Sequence, residues 1–266
     1  REGAVFLQTW HGTPLKKLAF DLDDIHAASQ DHKSKFFTQS RDWDYLLSAN
    51  RFSTDVFERA FCFPREKILE TGYPRNDILY GERAGEIAAD VRAEFGIPEG
   101  RKVILYAPTF RDDQFFGKGE YKFSLEMDMQ RMRAEFGREY VILLRTHYHI
   151  ANAVDLTGLE DFVYQASGYN DVSRLYLASD ICITDYSSVF FDFANLKRPL
   201  LFFVYDYENY LNELRGMYID MERELPGPLV HTNDELVDAL HHIDQISEQY
   251  KERYEKFYEK FCQIDD

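Results

Sequence analysis

The sequence predicts an α/β protein built on parallel strands, and three observations carry that reading. Short apolar runs rich in β-branched and aromatic residues recur along the chain, apolar on both faces as strands between two helix layers must be. They alternate with stretches of helical periodicity, the pattern of βαβ units. Gly and Pro are densest around "GIPEGR" (96–101), which places a boundary within residues 85–101 and divides the chain into a unit over 1–90 and another over 91–266.

In chain order the expected strands are "AVFLQTW", "DYLLSAN" and "KILETG" in the first unit, then "KVILYAP", "YVILLRT", "DFVYQA", "DICITD" and "PLLFFVYD" in the second. Helices are expected at residues 51–61, 77–95, 124–136, 171–179, 187–196 and 233–262. The last contains "SEQYKERYEKFYEKFCQ", whose aromatics recur at helical spacing among charges, as in a helix laid over the protein body.

Composition narrows the function. Lysine and arginine number 31 against 47 acidic residues, a net charge of −16, so the chain lacks the basic footprint of a nucleic-acid binder. An anionic substrate must therefore be held by local cations and backbone donors. Cys62, Cys182 and Cys262 are odd in number and far apart, which reads as reduced core thiols rather than a metal or redox pair. No apolar run approaches the roughly 18 residues of a membrane span, and no leader pattern opens the chain, so it reads as cytoplasmic. Because it starts at Arg1, it reads as part of something longer.

Parallel sheets bind ligands beyond the carboxyl ends of their strands, so the residues just after each strand are the candidates. After "AVFLQTW" come His11, Gly12, Thr13 and Lys16; after "KILETG", Arg75 and Asn76. After "KVILYAP" come Thr109 and Arg111, and after "YVILLRT", Arg145, Thr146, His147 and His149.

The most specific stretch is "ITDYSSVFFDFANLKRP". A buried strand ends, and Asp185, Ser187 and Ser188 open a helix. One reading is a simple N-cap; the other is a phosphate cradled by the hydroxyls and free N–H groups. Asp192, inside the apolar run "VFFDFANL", needs a partner because an unpaired buried carboxylate is costly, and a ribose diol is the expected one. His147 and His149 have metal-ligand spacing but no acidic neighbours, and Asp21, Asp23 and Asp24 in "FDLDDIH" resemble a metal-binding D-x-D yet follow no strand and read as a solvated turn. No metal or cofactor is expected.

Taken together, "QTWHGTPLKKL", "TGYPRNDIL", "ILYAPTFRDD", "LLRTHYH" and "ITDYSSVFFDFANLKRPLLFF" resemble the CDP-glycerol glycerophosphotransferases of Gram-positive teichoic acid synthesis, in order from about residue 5 to residue 205. The resemblance implies a GT-B type fold, two Rossmann-like domains facing a cleft. Residues 1–90 would be the latter half of the acceptor-side domain and 91–266 the nucleotide-binding domain.

It also implies a reaction. A hydroxyl of a lipid-linked polyol-phosphate chain attacks the β-phosphorus of CDP-glycerol and releases CMP, at the inner face of the membrane. His11 would act as general base, with the helix after Pro14 aimed at phosphate. Arg111, Arg145, His147, Ser187 and Ser188 would hold the pyrophosphate, Asp192 the ribose, and the loop from Ser167 to Asp171 the base. Transfer of ribitol phosphate, sugar transfer with loss of CDP, and a catalytically silent nucleotide-binding module are the alternatives.

Overall fold

A computed structural model describes residues 3–22, 30–109, 125–147, 154–208, 210 and 216–263. Three short strands, β1 (Leu7–Gln8), β2 (Tyr45–Ser48) and β3 (Ile68–Glu70), form one parallel sheet in that order. Six others form a second: β4 (Lys102–Ala107), β5 (Tyr140–Leu144), β6 (Val163–Gln165), β7 (Ile181–Thr184), β8 (Leu200–Phe203) and β9 (Leu229–Val230). Every pairing in it is parallel, and the spatial order is β6-β5-β4-β7-β8-β9. That is the doubly wound order of a Rossmann sheet, and its direction reverses between β4 and β7.

Helices cover both faces of the larger sheet. Along β4, Val103 and Leu105 join one buried cluster with Leu175, Tyr176 and Phe190, while Ile104 and Tyr106 join another with Met132, Phe136 and Leu236. This strict alternation is the period-two pattern of a strand buried on both sides. Under the small sheet, Leu46 and Ile68 pack on Phe57, Phe61 and Trp43.

The expected helices form, with breaks. Residues 51–60 make α2 (Arg51–Ala60), opened by Asn50, whose Oδ1 accepts from Ser53 N at 2.8 Å; α1 (Gln30–Arg41) precedes it. The segment 77–95 divides at Gly81 into α3 (Asp77–Tyr80) and α4 (Ala84–Glu94). Leu79 and Val91 belong to the core of the larger sheet, so by packing these helices go with the second unit.

Next come α5 (Met129–Phe136), α6 (Val172–Ala178) and the five-residue α7 (Val189–Phe193), then a short α8 (Met221–Glu224). The C-terminal pattern breaks at His242 into α9 (Asn233–His241) and α10 (Ile243–Phe261). Neither α1, whose sequence "QDHKSKFFTQSR" lacks an apolar stripe, nor the two-residue β9 was anticipated.

The two units are fastened together. Helix α10 returns to the first: Phe261 meets Phe52 edge-on at 5.1 Å, and its carbonyl accepts from Asn50 Nδ2 at 2.9 Å. The helix expected after Pro14 does not form. Residues 14–18 run extended instead, with Lys17 N donating to Gly216 O (2.8 Å) and Tyr218 N to Leu15 O (2.9 Å). Ladder bonds to the other unit satisfy that backbone, so no helix N-terminus faces the cleft there.

Of the three cysteines, Cys182 and Cys262 are buried, but Cys62 is exposed just past α2, in a left-handed backbone conformation (φ 48°). The expectation of three core thiols holds for two.

Candidate nucleotide and transfer site

A cavity of about 750 Å³ lies between the units. One wall is the segment from Trp10 to Leu18; the other is the carboxyl edge of the larger sheet at Ala107, Thr109, Arg145, His147, Ser167 and Tyr186 to Val189. Residues 108–109 and 186–188 follow β4 and β7, the two strands that flank the reversal point, where open parallel sheets leave a crevice. Of the expected residues, His11, Gly12, Thr13, Lys16, Thr109, Arg145, His147, Ser187 and Ser188 line this cavity. Arg111 and His149 lie outside the described residues.

The histidine corner is built by Trp10. Its backbone takes a left-handed conformation (φ 54°), uncommon for a residue with a side chain. Packing against Phe61 and Phe57, with centroids 4.8 and 5.9 Å away, holds it there. His11 then stacks on the Trp10 ring at 4.6 Å and keeps an exposed side toward the cleft. Trp10 is the site residue that sequence reasoning passed over. The available signal was a large aromatic directly before a histidine at a strand exit.

Burial, together with the charge of Arg75, lowers the His11 pKa from its ordinary value. His11 is therefore neutral at physiological pH, the form that can accept a proton. Beside it, Gly12 makes room: a Cβ built there would stand 3.0 Å from Ser188 Oγ, so the corners of the two units touch. Thr13 is buried, and its Oγ1 accepts from Asn50 Nδ2 at 3.2 Å, which turns it toward the first unit. The Lys16 ammonium lies 5.1 Å over the Tyr210 ring, which stacks on Tyr186 at 3.5 Å.

On the facing wall, Arg145 Nη1 donates to the carbonyls of Ala166 (3.1 Å) and Tyr169 (2.8 Å), and burial lowers its pKa. The loop expected to meet the base is thus pinned from below, with Ser167 Oγ accepting from Thr146 N at 2.8 Å. Within that loop Ser167 reaches the cavity wall, while Asp171 is spent capping α6 by accepting from Ser173 N. His147 is exposed on the same wall.

Two expected substrate contacts are internal struts. Asp185 is buried, and its Oδ1 accepts from Thr109 N (2.9 Å), Thr109 Oγ1 (2.6 Å) and Tyr186 N (2.6 Å), tying the exits of β4 and β7 together. Asp192 does have a partner, but the structure supplies a guanidinium where a ribose was expected. Arg75 Nη2 and Nε reach Oδ2 at 2.9 and 3.1 Å, and Asn76 Nδ2 donates to Oδ1 at 3.1 Å. Burial pushes the Asp192 carboxyl up, against the pull of Arg75 and Asn76. With donors on both oxygens, the carboxylate form is the one the site accommodates.

The capping reading of the serine pair is only partly met. Ser187 Oγ accepts from Val189 N at 3.4 Å, and Ser188 makes no side-chain cap to α7. Because α7 is five residues long, its dipole adds little, and the hydroxyls themselves carry any phosphate contact. Asp21 is held by Arg59 (2.8 Å) and by the Tyr218 hydroxyl (2.7 Å), an ionic joint rather than the solvated turn expected; Asp23 and Asp24 lie outside the described residues. Among the described residues, no three His, Cys, Asp or Glu side chains gather as metal ligands.

Two Rossmann-like units facing one another across a cleft are the arrangement of the GT-B class of α/β proteins. Within that class the chain belongs to the CDP-glycerol:poly(glycerophosphate) glycerophosphotransferase family, whose profile matches residues 1–266. It is 51% identical over 241 residues to a teichoic acid poly(glycerol phosphate) polymerase of Bacillus subtilis, covering 90% of this chain and 32% of that protein. It also superposes on the wall teichoic acid polymerase TagF with TM-score 0.93 at 46% identity, over 100% of this chain and 66% of that one. A histidine-to-asparagine variant of TagF soaked with CDPG gives TM-score 0.89 at 44% identity, over 100% of this chain and 65% of that one. The chain therefore spans about a third of the Bacillus polymerase and about two thirds of the TagF chain.

Proposed function

We propose that the chain carries the transfer site of a glycerophosphotransferase that moves glycerol phosphate from CDP-glycerol to a hydroxyl of a lipid-linked teichoic acid chain and releases CMP. One observation carries the reading: the His11–Gly12 corner of one unit touches the Ser188 corner of the other, at the switch point of a nucleotide-type sheet. The family description and the CDPG soak of TagF support CDP-glycerol as the donor.

In the reaction His11 takes the proton from the acceptor hydroxyl as its oxygen bonds to the β-phosphorus and the bond from that phosphorus to CMP breaks. Arg145, His147, Ser187 and Ser188 bind the diphosphate and offset charge growing on the departing CMP. Thr109 and Ser167 complete the wall on the nucleotide side. No described helix is long and apolar enough to cross a membrane. In this reading the lipid-linked acceptor is met at the inner membrane face.

The test is direct. Incubated with a lipid-linked glycerol phosphate acceptor, the protein releases CMP from CDP-glycerol and lengthens the acceptor. Faster reaction with CDP-ribitol would reassign the alditol, release of CDP would make it a sugar transferase, and tight nucleotide binding without turnover would make it a silent module.

A further inference from the structure

Arg75 and Asp192 were both expected at the substrate, yet neither lines the cavity. They meet behind it. Arg75 comes from the turn after β3 in the first unit and Asp192 from α7 in the second, so their ion pair spans the two units at the back of the histidine corner. A Cβ at Gly12 would stand 3.7 Å from Arg75 Nη2, and the Tyr73 ring lies 4.4 Å from the guanidinium carbon. Removing such a pair from water costs much of what its attraction returns, which makes stability alone a weak account of it.

The geometry points to Arg75 as a positioning residue for His11, held in place by Asp192. The pair fixes a guanidinium against the His11–Gly12 corner and ties the turn after β3 to the helix following Ser187 and Ser188. This rests on the reading of His11 as the base.

Among the described residues, the charged and titratable groups around His11 are Arg75 behind it with Asp192 beyond, Lys16 and Lys17 on its own segment, and Arg145 and His147 across the cavity. The aromatic rings packed on the Trp10–His11 stack, Phe36, Phe57 and Phe61, carry no charge. Beside the larger effect of burial, Arg75 is the charge among the described residues that acts on His11, disfavouring the imidazolium. Asp192 offsets part of that charge. Removing one member of the pair must therefore move the His11 titration one way, and removing the other must move it the opposite way.

The experiment follows the His11 ring by NMR across pH, its signal assigned by its loss in His11→Ala, alongside kcat/KM for CMP release. Arg75→Gln is expected to raise the His11 pKa toward the ordinary value near 6.5, Arg75→Lys to restore most of the lowering, and Asp192→Asn to lower it further. The acid limb of kcat/KM moves with it, while the KM for CDP-glycerol changes less than kcat. An unmoved His11 titration, or shifts of the same sign in Arg75→Gln and Asp192→Asn, overturns the inference. If Arg75→Gln fails to fold, Arg75→Lys and Asp192→Asn still test the sign. A titration that moves as expected while the acid limb stays put supports the positioning role and removes His11 as the base.

Discussion

Gly12 and Ser188 meet across the cleft: a Cβ on Gly12 would approach Ser188 Oγ to 3.0 Å and Ser188 Cβ to 3.4 Å. The backbone at Gly12 is not left-handed, so the glycine is required by proximity and not by conformation. Gly12→Ala is therefore expected to destabilise the protein by about 1–3 kcal/mol through overpacking, and to lose much of that cost in a Ser188→Gly background. Thermal melts of the two single variants and the double variant check it. Additive losses would mean that the two corners do not touch.

The histidines divide the work. With His11 on the first unit's corner and His147 on the opposite wall, His11→Ala should leave CDP-glycerol affinity nearly intact while slowing turnover by about 10²- to 10⁴-fold. His147→Ala should weaken both binding and rate. Calorimetry paired with single-turnover CMP release separates the two patterns.

The pH dependence has a fixed sign. Burial first, then Arg75, lowers the folded-state pKa of His11, so between that value and about 6.5 the unfolded chain binds more protons than the folded one. Stability through this group is present above about 6.5 and is lost as pH falls below it. Activity should likewise hold a plateau through neutral pH and fall on the acid side, below the ordinary histidine value. An acid limb at or above 6.5 would contradict this.

The serine pair and Asp192 should behave differently. Ser187→Ala with Ser188→Ala is expected to weaken CDP-glycerol binding at least roughly tenfold, the scale of one lost hydrogen bond to a charged group. Asp192, engaged by Arg75 and Asn76, should show no ribose preference: Asp192→Asn should weaken cytidine and 2′-deoxycytidine diphosphates equally. A selective loss for the ribonucleotide would return Asp192 to the sugar.

Asn50 ties three pieces together, capping α2, donating to Thr13 Oγ1 and donating to the carbonyl of Phe261 at the end of α10. Asn50→Ala removes all three at a buried position, so a loss of about 2–3 kcal/mol is expected in denaturant unfolding. The same variant should expose the end of α10 to faster amide exchange.

The sequence by itself determined eight of the nine described strands and where chemistry could stand. Runs such as "KVILYAP" and "DICITD" carry their own period and bulk, and these local properties place Thr109 and Ser187 at strand exits whatever else the chain does. The pairing of corners was not legible, because nothing local in "HGTP" or "DYSS" says that Gly12 must lie against Ser188. That contact follows from the β6-β5-β4-β7-β8-β9 order and from the return of α10 to the first unit. The partner of Asp192 was hidden for the same reason. A buried carboxylate announces in sequence that it needs donors, but Arg75 and Asn76 lie 117 and 116 residues away, and only the closed fold brings them within 3.1 Å. Likewise, Pro14 permits either a helix start or an extended strap, and the free backbone groups of residues 216–218 chose the strap. Local periodicity fixes which groups face out at a strand end. Desolvation and long-range pairing, which exist only once the chain is folded, decide whether such a group meets substrate or another side chain.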